Sequence, residues 1–190
     1  STVFGTVINY VILRLLGLSK DHIVCKRARE TLLRLGGAVG APHWGKIWLS
    51  VLNLYKWEGV NPAPPETWML PYALSIHPGR WWVHTRSIYL PVSYLSLVRY
   101  SCKLNPLLRE LREEIYVKPF ETIDFSKNRN NVCGVDLYYP HSSILDAANN
   151  VIVFYERYVR PKWLAKMAKD RVYDLVKKEI INTDGLCIAP

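Results

Sequence analysis

Apolar side chains recur at helical spacing along almost the whole chain, and no stretch sustains the two-residue alternation of a half-buried strand. Residues 2–16 place Val3, Val7, Val11 and Leu15 four apart, which predicts one buried helix face. Residues 22–35 read as a second helix, with Ser19 or Asp21 as its cap and Gly36-Gly37 as its stop. A third opens at Pro42, a good first helical residue, and runs through WGKIWLSVLNLY. Between 57 and 79 the pattern fails: Pro62, Pro64, Pro65, Pro71 and Pro78 mark a long connection around a short PPETWML turn. Connections of this length inside compact domains are often functional. Helix returns over 81–100, with a kink expected at Pro91 because proline has no N–H to donate. Asn105-Pro106 then opens LLRELREEIY, 117–139 reads as irregular, and helices are predicted over 142–158 and 162–181. The fold class that follows is all-α, with antiparallel neighbouring helices arranged as an α/α barrel or a solenoid.

Composition narrows the classes. A chain of 190 residues with 49% hydrophobic content is long enough to bury a real core, so a disordered chain is excluded. The net charge of +9 permits attraction to nucleic acid or to anionic lipid. Its basic residues, however, are spread through amphipathic segments such as KRARETLLR (26–34) and KWLAKMAKDRVYDLVKKE (162–179), which read as solvated helix faces. No nucleic-acid partner is therefore expected. Cys25, Cys102, Cys133 and Cys187 are far apart and form no C-x-x-C pair, which argues against a zinc site or a disulfide framework and fits a reducing compartment. No apolar run reaches the ~18 residues of a membrane span, since VFGTVINYVILRLLGL is broken by Asn9 and Arg14. The chain opens into this apolar segment without an initiator Met and closes at GLCIAP just past a helix, so an internal piece of a longer protein is expected.

Two stretches carry candidate chemistry. GAPHWGKI (40–47) nearly matches the phosphate-cradling G-x-x-x-x-G-K-[ST], but Ile47 offers no hydroxyl to Mg²⁺, no strand precedes it, and Pro42 and Trp44 would crowd the cradle. It reads better as a helix entrance where Gly36, Gly37 and Gly40 permit close backbone approach. The second stretch is RWWVHTRSIYLPVSYL (80–95). On a helix, Trp81, His84 and Ile88 share one face, and Trp82, Thr85 and Tyr89 the adjacent one. A lone His such as His84 is more often a hydrogen-bonded structural residue than a base, and no His/Cys/carboxylate cluster with metal spacing surrounds it. Rings with negative faces attract cations at roughly 0.5–2 kcal/mol each. A pocket walled by such rings suits a positively charged guest or intermediate, whether a carbocation or a quaternary ammonium; an ordinary aromatic core stays open beside it.

GGAVGAPHWGKIWLSVLNLYKWEGVNPAPPETWMLP (36–71), HPGRWWVHTRSIYLPVSY (77–94) and NRNNVCGVDLYYPHS (128–142) resemble the oxidosqualene cyclase family, and within it the fungal lanosterol-forming members. The resemblance runs over essentially the whole chain, although such enzymes are several times longer. It implies an isomerase that takes 2,3-oxidosqualene through a protonation-started cationic cascade to lanosterol, without a cofactor or metal. It also implies a two-barrel α/α architecture in which residues 1–190 form part of the smaller barrel, with the larger, acid-bearing domain in the remainder of the parent polypeptide. By the same resemblance, Trp44 and Trp82 would be cavity-wall tryptophans, and His84 would help stabilise the late protosteryl cation and take the final proton. Tyr89 would sit at the channel constriction, with Thr85 beside it at a position where the family commonly has Cys. A His at position 84 points to a sterol-forming member. The family's proton-donating Asp, in an Asp-Cys-Thr-Ala-Glu motif, is absent from this sequence, so the chain alone is expected to be inactive. Family members are monotopic membrane enzymes, which implies a membrane-surface partner and residence on the cytosolic face of the endoplasmic reticulum and lipid droplets. The bend at Pro91 would then turn Leu95, Leu97 and Val98 toward the membrane. The rival classes are a helical protein-interaction solenoid without catalytic activity and a basic, aromatic-bearing RNA binder, the latter with steeply salt-dependent affinity.

Overall fold

The four-residue spacing of valines near the start does make a helix, but its buried stripe drifts. The computed structural model describes residues 2–139 and 142–185, so Pro140, His141 and Cys187 of the segments quoted above lie outside the described residues. Helix α1 (Val3–Leu15) buries Val3, Val7, Tyr10, Val11 and Arg14, while Leu15, expected on the stripe, is 43% exposed. Each step of four residues overshoots a 3.6-residue turn by about 40°, so the fourth member points about 120° away from the first. Arg14 takes the inward place, 7% exposed. It can do so because Glu114 accepts from its Nε at 3.0 Å and Nη2 at 3.1 Å, Glu110 from Nη2 at 2.8 Å, and the Leu18 carbonyl from Nη1.

Helix α2 (Ile23–Arg34) follows. Its cap is His22, whose Nδ1 accepts from the Val24 N–H, in place of the expected Ser19 or Asp21. It ends as expected: Gly36 and Gly37 have φ of 95° and 77°, and their N–H groups donate to the Leu33 and Leu32 carbonyls. Helix α3 (His43–Val51) starts behind Pro42 but stops four residues short of Tyr55. Helices α4 (Val83–Val98), α5 (Pro106–Glu114), α6 (Ser143–Phe154) and α7 (Lys162–Asn182) complete the set, with a π-helical turn at Tyr155–Val159 between the last two. The Pro-rich connection contains short 3₁₀ turns at Trp57–Gly59, Pro65–Met69 and Pro78–Arg80. Among the described residues there is no strand, and no helix is long and apolar enough to cross a membrane.

The chain divides into two units. The first, Ser1–Asn61 with Ser101–Ser143, holds α1, α2, α3 and α5. Its α1 terminus is closed from far along the chain by buried Asp136, whose carboxylate accepts from the Val3 N–H at 2.7 Å and the Phe4 N–H at 3.2 Å. The irregular segment expected over 117–139 is thereby ordered by tertiary partners. Gly37 approaches the backbone closely, since a Cβ there would lie 3.0 Å from the Ile115 carbonyl. The second unit, Pro62–Tyr100 with Ile144–Pro190, holds α4, α7 and most of α6. There α7 packs on both α4 and the 65–69 turn, burying Ser93 and Ser96 on α4 and Ala168 and Val172 on α7.

Candidate functional site

In GAPHWGKI the lysine settles what the loop does. Lys46 is fully buried, and its Nζ donates to the carbonyls of Asn128 (2.6 Å), Arg129 (2.9 Å) and Asn131 (2.8 Å). An ammonium has three donors, and all three are engaged by the 128–131 loop. The residue that would grip a phosphate is instead a tie between α3 and that loop. Gly40 adds a second tie, its carbonyl accepting from the Cys133 N–H at 2.9 Å. Trp44, on the same helix, is half-buried and meets Trp48 edge-on, with ring centroids 5.8 Å apart.

The other candidate residues lie in the second unit. Pro78 opens a 3₁₀ turn braced by His77, whose Nδ1 accepts from the Gly79 N–H at 2.9 Å. Trp81 and Trp82 leave that turn in extended conformation, and α4 begins only at Val83. The two helical faces predicted from sequence therefore fail at 81 and 82, because neither residue is helical. Trp81 instead meets Tyr89 at 4.9 Å, and Trp82 meets His84 edge-on at 4.2 Å. Trp82 is 69% exposed. His84 is half-buried, and its Nδ1 is shielded from solvent with no hydrogen-bond partner among the described residues. That nitrogen makes no hydrogen bond among the described residues, so its polar valence is left for a group brought against it. Thr85 is exposed.

Tyr89 is held differently. Its hydroxyl donates to the Pro64 carbonyl at 2.9 Å and accepts from Thr67 Oγ1 at 3.3 Å. Trp68, buried beneath it, packs against both Tyr89 and His77. Burial pushes the Tyr89 hydroxyl up to about 12, so it stays a donor across the physiological range. The partners Trp68 and His77 are not evident from helical periodicity, because Trp68 sits in one 3₁₀ turn of the Pro-rich connection and His77 caps another. The only sequence signal was that this connection is long and proline-stiffened.

Pro91 sits inside α4, as expected, with Ser93 Oγ donating to the Leu90 carbonyl nearby. A cavity of about 450 Å³ opens along this side of the helix. It is lined by Val83, Leu90 and Pro91 with Trp68, Leu175 and Ile180, and not by Trp82, His84 or Tyr89. Among the described residues no group of three His, Cys, Asp or Glu side chains is placed to hold a metal ion. Sequence and geometry thus yield two ring systems on one segment: an open Trp82–His84 pair with an unengaged nitrogen, and a closed cluster around Tyr89.

Residues 1–188 match the family described as the squalene-hopene cyclase N-terminal domain. Over 190 residues the chain is 73% identical to a lanosterol synthase of Saccharomyces cerevisiae, covering all of this chain and 26% of that protein. It is 46% identical to a cycloartenol synthase of Dictyostelium discoideum, covering all of this chain and 27% of that protein. It is 41% identical to a protostadienol synthase of Arthroderma gypseum, again with the whole chain against 26% of the relative. The chain thus spans about a quarter of the length of each of these relatives.

Proposed function

The chain belongs to the squalene-hopene cyclase N-terminal domain family, and from that premise we propose that it is part of the smaller α/α barrel of a two-barrel oxidosqualene cyclase that forms lanosterol. The observation that carries this reading is the 73% identity to a lanosterol synthase along the entire chain. The substrate is (S)-2,3-oxidosqualene, and the acid that opens the epoxide comes from the remainder of the parent polypeptide. The enzyme works at a membrane surface, on the cytosolic side of the endoplasmic reticulum and of lipid droplets.

In this reading the exposed Trp82 face becomes cavity wall once the rest of the parent covers it, as does Trp44. Ring faces there attract the migrating positive centre by roughly 0.5–2 kcal/mol each, and by more where water is excluded. His84 supplies the basic site. Its contact with the electron-rich Trp82 indole, and an Nδ1 that no described residue engages, support its role in stabilising the late cation and receiving the last proton. Tyr89 and Thr85 border the route by which substrate arrives.

The test is a chimera in which this chain replaces the matching quarter of the S. cerevisiae enzyme, supplied with 2,3-oxidosqualene. Lanosterol should form, and His84→Ala should divert product to incompletely rearranged or wrongly deprotonated triterpenes. A folded chimera that leaves the substrate untouched would sink the reading. An unchanged lanosterol yield in the His84 variant would remove that residue from the chemistry.

A further inference from the structure

The 64–69 turn that holds the Tyr89 hydroxyl is itself held by a buried ionic fork. Arg160, which closes the π-helical turn Tyr155–Val159, donates from Nη1 to Glu156 Oε1 at 2.8 Å and forms an ion pair with Glu66, its Nε 2.8 Å from Oε1 but not aligned as a hydrogen bond. The hydrogen bond to Glu66 comes from Nη2, which donates to Oε2 at 3.5 Å. The three side chains are only 10%, 13% and 17% exposed for Arg160, Glu66 and Glu156 respectively. Arg99, at the end of α4, stands 4.0 Å from the second Glu156 oxygen. Glu66 sits between Pro64, whose carbonyl receives the Tyr89 hydroxyl, and Thr67, which donates to it.

Such a fork has a geometric use. A guanidinium gripped by two carboxylates has one allowed orientation, whereas an apolar contact tolerates sliding. Burial adds stringency, because losing one partner leaves an uncompensated charge out of water. A π-helical turn inside a helical region is rare and is often found at functional sites. Here it delivers Arg160 to the turn that fixes a tyrosine.

We propose that Glu66, Arg160 and Glu156 form a positioning device that sets the Tyr89 ring through the 64–69 turn, and so governs how readily 2,3-oxidosqualene is admitted without touching the cationic cascade. This rests on the reading of Tyr89 as a channel residue. Arg160 and Glu66 act through Tyr89 and are not catalytic.

The experiment uses the full-length cyclase carrying this chain and measures KM, kcat and product profile for Glu66→Gln, Arg160→Lys, Tyr89→Phe and the Glu66→Gln/Tyr89→Phe double variant. Circular dichroism identifies the folded variants. KM should rise about tenfold in Glu66→Gln, with kcat and products unchanged, because only substrate admission is affected. Arg160→Lys keeps the charge but loses the fork, so its KM should rise less. The double variant should be no worse than the more affected single variant, since both changes break one linkage. Additive effects, a fall in kcat at constant KM, or a folded Glu66→Gln enzyme with unaltered kinetics would each overturn the inference. An unsubstituted parent that forms no lanosterol would sink the functional reading, and this inference with it. An active parent with indifferent variants would sink this inference alone.

Discussion

The two units place their polar and aromatic groups to different ends. In the first, Tyr10, Lys46, Tyr55, Leu49, Leu54, Leu111 and Ile115 are all wholly buried, and charges are closed against specific partners: Lys46 on three carbonyls, Asp136 on two amides, Arg14 on Glu114. In the second, Val172 is the sole contributor, among the described residues, to the largest wholly buried side chains, and Trp82 stands open against an imidazole whose Nδ1 has no hydrogen-bond partner among the described residues. Buried polar groups become expensive when a partner is lost, whereas an exposed ring has few contacts to lose. Substitutions in the first unit should therefore be read in stability, and those at the Trp82–His84 edge in the function proposed above.

That contrast can be broken by substitution. Lys46→Met in the full-length cyclase should cost about 3–5 kcal/mol, read from the urea midpoint, because three buried carbonyls lose their donor at once. A loss under about 1 kcal/mol would mean the 128–131 loop finds other partners, and the first unit would no longer stand apart. Asp136→Ala should cost about 1–2 kcal/mol, the worth of a charge-assisted helix cap. Trp82→Ala should move the midpoint by no more than about 0.5 kcal/mol, as surface substitutions do, while lanosterol formation falls sharply. Comparable stability losses for Trp82 and Asp136 would erase the distinction.

The smallest effect concerns pH. Tyr89 ionises at about 12 in the fold against 10.0 when unperturbed. Between those values the unfolded chain releases a proton that the folded chain keeps, so stability from this group falls as pH rises from 10 toward 12. Tyr89→Phe should flatten the alkaline unfolding curve slightly in that window. An unchanged slope would show that Tyr89 is less buried than its contacts require.

Much of the helical frame was legible because it depends on local rules. Proline at the first turn of α5, Asn105 as its cap, the glycine pair after α2 and proline within α4 act through backbone geometry within a few residues, wherever the chain is placed. The segment carrying Trp82, His84 and Tyr89 was legible for its ring content. Which rings meet was not, since that turned on α4 starting at Val83, one residue after Trp82. The cap of α2 was also misplaced, because His22 offers an acceptor nitrogen that competes with the hydroxyl and carboxylate of its neighbours.

The sequence by itself determined that this chain is helical, where most helices begin and end, and which segment carries the unusual rings, because periodicity and turn chemistry act over less than about two turns. Only the tertiary structure decided that Lys46 is a tie rather than a phosphate ligand, that Asp136 closes a helix more than a hundred residues away, and that Arg160 reaches Glu66. Each of those roles depends on partners remote in sequence, and a buried charge takes its meaning from whatever folding brings within about 3 Å of it.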